Sequence, residues 1–184
     1  MDKDARTPMS QARLTFDAAI QDAEELLWHF DRSNTKPPPP NAEVLKRAGI
    51  IMAFTAWETY VEDRVREALA ARLGSEGEGP SARFVKRRLD EELKKFNNPN
   101  TEKTRKLFQE FLEIDLTACW NWNQYDFTKV KTTLDTLIAK RGEAVHRSSP
   151  KRGGPPAPHL ITRDELKKAI NFLKSLVDAT EKAL

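Results

Sequence analysis

The sequence predicts an all-α fold, a mainly antiparallel bundle of four to five main helices. Three observations carry this expectation. Apolar residues recur at spacings of three and four in several long segments. Between these segments stand clusters rich in proline and glycine at residues 37–40, 74–80 and 148–160. No run shows the apolar–polar alternation of a half-buried strand, and no internal repeat is present.

The elements follow in order. Residues 8–30 place Leu14, Ala18, Ile20, Leu26, Leu27 and Phe30 at near-helical spacing, with acids between them. Pro37–Pro40 ends this unit. Four consecutive prolines lack backbone donors and favour an extended chain, so the segment reads as a stiff connector. Residues 42–73 form the longest predicted helix, through Val44, Leu45, Ala48, Ile51, Met52, Thr55, Val61, Val65, Ala68 and Leu69. From Ala48 to Val61 it is apolar nearly all round, the pattern of a central, buried helix. Residues 74–80 break it as a loop.

Residues 81–96 read as a charged helix. Residues 101–114 read as a short one with Leu107, Phe108, Phe111 and Leu112 inward. Thr117 to Phe127 has no clear period and is expected to be a loop or turn packed on the core. Thr128 to about Val145 is helical again, with Val130, Leu134, Leu137 and Ile138 on one side. After the 148–160 loop, Thr162-Arg163-Asp164-Glu165 is a capping box: a threonine that accepts from the third helical N–H, and a glutamate that reaches back. Leu166, Ile170, Leu173, Leu176 and Val177 then supply one apolar face.

Composition bounds the function. The chain has 184 residues, read as one domain, with 39% hydrophobic and 32% charged residues. The 31 basic and 28 acidic residues leave a formal charge of +3, too small to imply nucleic acid by itself. The single cysteine, Cys119, excludes an internal disulfide framework and makes a reducing cytoplasm the expected compartment. Cys119, beside Trp120, reads as a small buried hydrophobe. No apolar run approaches the ~18 residues of a membrane span, and the polar start Met1–Arg6 lacks a signal-peptide core. Neither a metal-ligand set nor a glycine-rich phosphate loop nor a serine nucleophile elbow is present, so no metal or cofactor is expected.

The stretch with chemistry in it is Arg141-Gly142-Glu143-Ala144-Val145-His146, followed by Arg147 and the basic residues Lys151 and Arg152. Arginine holds phosphate through a bidentate, charge-assisted fork, and histidine moves protons near neutral pH. Together they suffice to cleave RNA without metal. The 2′-hydroxyl attacks the adjacent phosphate, His146 exchanges the proton, and Arg141 steadies the growing charge. On an ideal helix five residues turn through about 140°, so the two side chains do not converge unaided. Either the helix end unwinds at Gly142, or a two-fold axis beside the motif brings two copies together. The same residues also fit an ordinary helix end, where Arg141 caps carbonyls and His146 meets the helix dipole.

Other candidates are similarly two-sided. Glu58 and Glu62 lie on the polar edge of an apolar helix and either orient Arg141 or face water. Arg83, Lys86 and Arg87 share a face and either track an RNA backbone or are solvated charge. Lys151 and Arg152 are better placed for RNA, because they follow the motif. Trp120, Trp122 and Tyr125 either stack bases or pack. His29 and His159 are isolated and receive no role.

An Arg, four residues and a His at the end of a late helix, then a loop and one last helix, resembles the HEPN superfamily. Phe54-Thr55-Ala56-Trp57-Glu58-Thr59-Tyr60-Val61-Glu62 is similar to the aromatic and acidic pattern of small stand-alone members, particularly the RiboL-PSP-associated branch. The resemblance spans about residues 8–183. It implies a metal-independent endoribonuclease of prokaryotic toxin–antitoxin or phage-defence systems. It further implies a homodimer whose Arg and His meet across the dimer groove, with RNA as substrate and an antitoxin or defence protein as partner. Many members carry a polar residue after the Arg and a small one after the His. Here these are Gly142 and Arg147, and Gly142 brings no hydrogen-bonding side chain. The alternative is therefore a non-catalytic helical module that binds a partner protein or RNA.

Overall fold

The structure, a computed structural model, describes residues 9–33, 39, 42–74, 79–146 and 161–184. Among these lie six α-helices and no strand: α1 (Gln11–Ser33), α2 (Glu43–Leu73), α3 (Pro80–Leu93), α4 (Thr101–Leu112), α5 (Phe127–His146) and α6 (Arg163–Glu181). The all-α expectation holds, with the short α3 and α4 taking the count of helices to six. The predicted loop at 74–80 ends one residue early, because Pro80 opens α3, where its missing N–H costs nothing. The 148–160 loop and most of the Pro37–Pro40 connector lie outside the described residues.

Helix α2 is the axis of the molecule and packs against all five other helices. That is why its apolar residues run round its circumference. Ile50, Ala53, Phe54, Ala56, Trp57, Tyr60, Val61, Val65 and Leu69 are all buried. Val44, one of the apolar positions read from the sequence, points to solvent. Gly49 marks a close approach: a Cβ there would stand 2.8 Å from a Leu166 methyl. Trp57 stacks on Tyr60 at 5.8 Å, and Trp120 meets Trp57 edge-on at 6.3 Å, so large aromatic rings fill the middle of the core.

Helix α1 turns a different face inward than its periodicity suggests. Ala12, Phe16, Ile20, Ala23, Leu27 and Phe30 are buried, whereas Leu14 and Ala18 are exposed. Two stripes compete along this helix. The winning one pairs small Ala12 and Ala23 with bulky Phe16, so α2 approaches closely and Phe16 meets Tyr60 at 5.8 Å.

Polar contacts fix the directions. At the start of α1, the N–H groups of Gln11 and Ala12 donate to the Glu67 carboxylate, late in α2, at 3.1 and 3.2 Å. At its end, Lys46 of early α2 lies 4.7 Å over the Phe30 ring. The two helices are therefore antiparallel. Ser10, Tyr60 and Arg64 all donate to Glu181 at the end of α6, at 2.9, 2.8 and 2.9 Å. Asp31 at the end of α1 pairs with Arg163 at the start of α6, so α6 also runs against α1. The capping box of α6 forms in both directions: Thr162 Oγ1 accepts from Glu165 N at 3.2 Å, and Glu165 accepts from Thr162 N at 2.8 Å. No helix among the described residues is long and apolar enough to cross a membrane.

Candidate functional site

Arg141 sits in the last turns of α5 and is half-buried. The sequence offered unwinding at Gly142 as one way to bring Arg141 and His146 together. α5 does not unwind there: it remains helical through His146. The backbone geometry therefore turns the two motif positions about 140° apart. A Cβ built on Gly142 would meet nothing within 4 Å among the described residues. The His146 side chain, Arg147, Lys151 and Arg152 lie outside the described residues.

The guanidinium of Arg141 is held from a different part of the chain. Its Nη1 donates to Oδ1 of Asn98, in the α3–α4 loop, at 2.7 Å. Asn98 is in the left-handed region (φ 48°), which asparagine tolerates better than most residues. Its backbone N–H donates to Oε2 of Glu58 at 3.3 Å. The next carbonyl, that of Pro99, accepts from the buried indole Nε1 of Trp57 at 2.9 Å. Asn100 then caps α4 by accepting from Lys103 N at 2.8 Å. Asp135 of α5 accepts from Thr101 N at 3.4 Å and so ties the loop's far end to the helix that carries Arg141.

Glu58 thus reaches Arg141 through Asn98 and not by a direct ion pair. Glu62 goes elsewhere: its carboxylate lies 3.6 Å from Arg66. Burial pushes the Glu62 pKa up; Arg66 pulls against this, and the nearby charges of Glu58 and Asp63 add to it. Sequence periodicity shows the two acids on one helix face but not their separate partners. Asn98 escaped the sequence reading altogether, since it lies 43 residues from Arg141. The local signal that could have flagged it is Asn97-Asn98-Pro99-Asn100, an asparagine-rich break between two helices.

One residue before Arg141, Lys140 hydrogen-bonds Glu165 of the α6 capping box. This bond, reinforced by the Thr162 N–H, holds the Glu165 carboxyl down to about 2. The motif's helix end is therefore fastened to the start of α6 as well as to the α3–α4 loop.

The aromatic and basic candidates separate by environment. Trp120 is fully buried and donates to Thr180 Oγ1 at 3.0 Å, a core role. Trp122 and Tyr125 stack on each other at 5.2 Å and lean on Phe172. Arg83, Lys86 and Arg87 are exposed on α3, with Arg87 5.9 Å over the exposed Phe84 ring. Cys119 is exposed, against its reading as a buried hydrophobe. It closes a one-turn 3-10 helix, Leu116–Cys119, whose Leu116 and Thr117 take the inward positions.

Chemically, the arrangement presents a permanently charged fork on a rigid mount. The mount's contact atom is a neutral amide oxygen, and among the described residues no carboxylate pairs directly with Arg141. No curated protein and no solved structure matches the chain. The family model described as RiboL-PSP-HEPN matches residues 18–184, through α2, the α3–α4 loop, the Arg141–His146 motif and α6, and the chain belongs to that family.

Proposed function

We propose that the chain is a metal-independent endoribonuclease of the HEPN type, acting as a homodimer in a toxin–antitoxin or phage-defence system. The observation that carries this reading is the mounting of Arg141, in a chain of this family, by a neutral acceptor at 2.7 Å. A guanidinium so held keeps its charge for an anion such as an RNA phosphate.

In the proposed reaction a 2′-hydroxyl oxygen bonds to the adjacent phosphorus as the bond from phosphorus to the 5′-oxygen breaks. His146 takes the hydroxyl proton and passes it to the leaving oxygen. The products are a 2′,3′-cyclic phosphate and a 5′-hydroxyl. Arg141 binds the phosphate and offsets the charge that builds on it. Since α5 turns Arg141 and His146 apart, the Arg of one protomer works with the His of its partner. Arg147, Lys151 and Arg152, which follow the motif in sequence, add charge for the RNA backbone. Glu58 orients the Arg141 mount, and Glu62 supports the same edge of α2.

The test is expression of wild type and His146→Ala in bacteria, with growth and RNA integrity followed, and cleavage assayed with purified protein in chelator. Growth arrest and RNA fragmentation by wild type alone are expected, with DNA left intact because it lacks the nucleophile. Intact RNA with both proteins, alongside tight capture of a folded partner protein, would overturn the enzyme reading in favour of a non-catalytic binding module.

A further inference from the structure

The α3–α4 loop is built around one side chain. Its flanks are bolted down: Pro99 O to the buried Trp57 indole at 2.9 Å, Asn100 to the first turn of α4, and Asn97 O to Lys103 Nζ at 2.7 Å. Between them Asn98 takes a left-handed backbone, φ 48°, that aims its amide at Arg141. A guanidinium has donors and no acceptor, so the amide oxygen must face it. Among the described residues Asn98 accepts from Arg141 Nη1, while Arg141 Nε is buried there with no partner. Removing the Asn98 amide removes the hydrogen bond that holds the fork among the described residues.

Resting on the ribonuclease reading, we propose that Asn98 is a positioning residue that aims Arg141 at the scissile phosphate, and that its neutrality is part of the role. An aspartate at this site would orient the guanidinium equally well. It would also neutralise it and compete with phosphate for the same donors. Glu58 acts one step further back, holding the Asn98 N–H and with it the strained backbone. Among the described residues it makes no direct hydrogen bond to Arg141.

Two variants separate aiming from folding. Asn98→Gly keeps the left-handed backbone and the N–H to Glu58 and deletes only the amide. Asn98→Asp keeps the acceptor and adds charge. The first readout is activity-independent: in protein labelled with 15N-arginine, the Arg141 guanidinium signals report how fast the group rotates. Restricted rotation is expected in wild type and Asn98→Asp, and fast rotation in Asn98→Gly, with melting temperatures close to wild type. The second readout is RNA cleavage. Asn98→Gly should lose on the order of 10- to 100-fold, mainly in kcat, as expected when a charge-stabilising group is misaimed. Asn98→Asp should instead raise KM several-fold while its fork stays ordered. Wild-type cleavage by Asn98→Gly, or unchanged Arg141 rotation in it, overturns the proposal. If wild type itself leaves RNA intact, the ribonuclease reading falls, and the rotation readout still decides whether Asn98 aims Arg141.

Discussion

At the residue scale, Arg141 and His146 divide the proposed chemistry. His146→Ala removes the proton-transfer group, so RNA still binds while cleavage falls by roughly 10²–10⁴. Arg141→Ala removes a phosphate contact as well as charge stabilisation, so binding and cleavage fall together. Arg141→Lys restores little, because an ammonium cannot fill both the Asn98 contact and a planar phosphate fork. Steady-state kinetics with a binding titration checks this, and equal effects of all three on KM alone would contradict it. Glu62→Gln makes a different test. Burial raises the Glu62 pKa, so folding disfavours its charged form. Its protonated form is the one the fold prefers, and that preference is lost as pH rises through the raised pKa. Replacement by neutral Gln should therefore raise the melting temperature slightly at neutral pH, and the gain should vanish below the ordinary carboxylate range near 4. The motif residues were legible because they sit within six positions of one another. Asn98 was not, because a turn residue's partner 43 positions away leaves no periodic trace.

At the element scale, the end of α5 is only as rigid as its anchors. Lys140 and the capping box share Glu165, whose carboxyl is held down to about 2. A lowered pKa contributes stability above the unfolded value, near 4.3, that is lost as pH falls toward 2. The side chain is 38% exposed, so solvent screening keeps the contribution to about 1 kcal/mol. Thr162→Ala or Glu165→Gln should each cost about 1 kcal/mol in urea melts at pH 7, and the deficit of Glu165→Gln should shrink between pH 4 and 2. A constant deficit across that range would mean the charge is irrelevant. This capping box was readable directly, since its residues are four neighbours in sequence. The inward face of α1 was not. Leu14 and Phe16 each belong to a plausible stripe, and only the partner helix chooses between them. Trp57 shows the coupling between core and site: Trp57→Phe should keep the packing but orphan Pro99 O, costing about 1–3 kcal/mol and loosening the loop that carries Asn98.

For the molecule as a whole, a central α2 was predictable because apolar residues cover its whole circumference, and a surface helix has no use for them. The assembly is a different matter: a single chain's periodicity records burial against itself, not against a second copy. The geometry of α5 nonetheless permits a sharp test. If Arg141 of one protomer serves with His146 of the other, then Arg141→Ala and His146→Ala proteins, each inactive alone, should complement one another. Unfolding and refolding the two together yields mixed dimers with one intact Arg and one intact His on opposite protomers, and part of the activity should return. Homodimers of either variant contain no complete pair and remain silent. Activity that stays absent in mixtures proven to contain mixed dimers would place both residues' work within one protomer. The continuous α5 would then have to unwind at Gly142 on binding RNA. Gly142→Ala distinguishes the two routes, because its Cβ meets nothing within 4 Å among the described residues. It should stabilise α5 by roughly 0.5–1 kcal/mol. It should also slow an enzyme that must unwind there, while complementation through an intact helix would survive it.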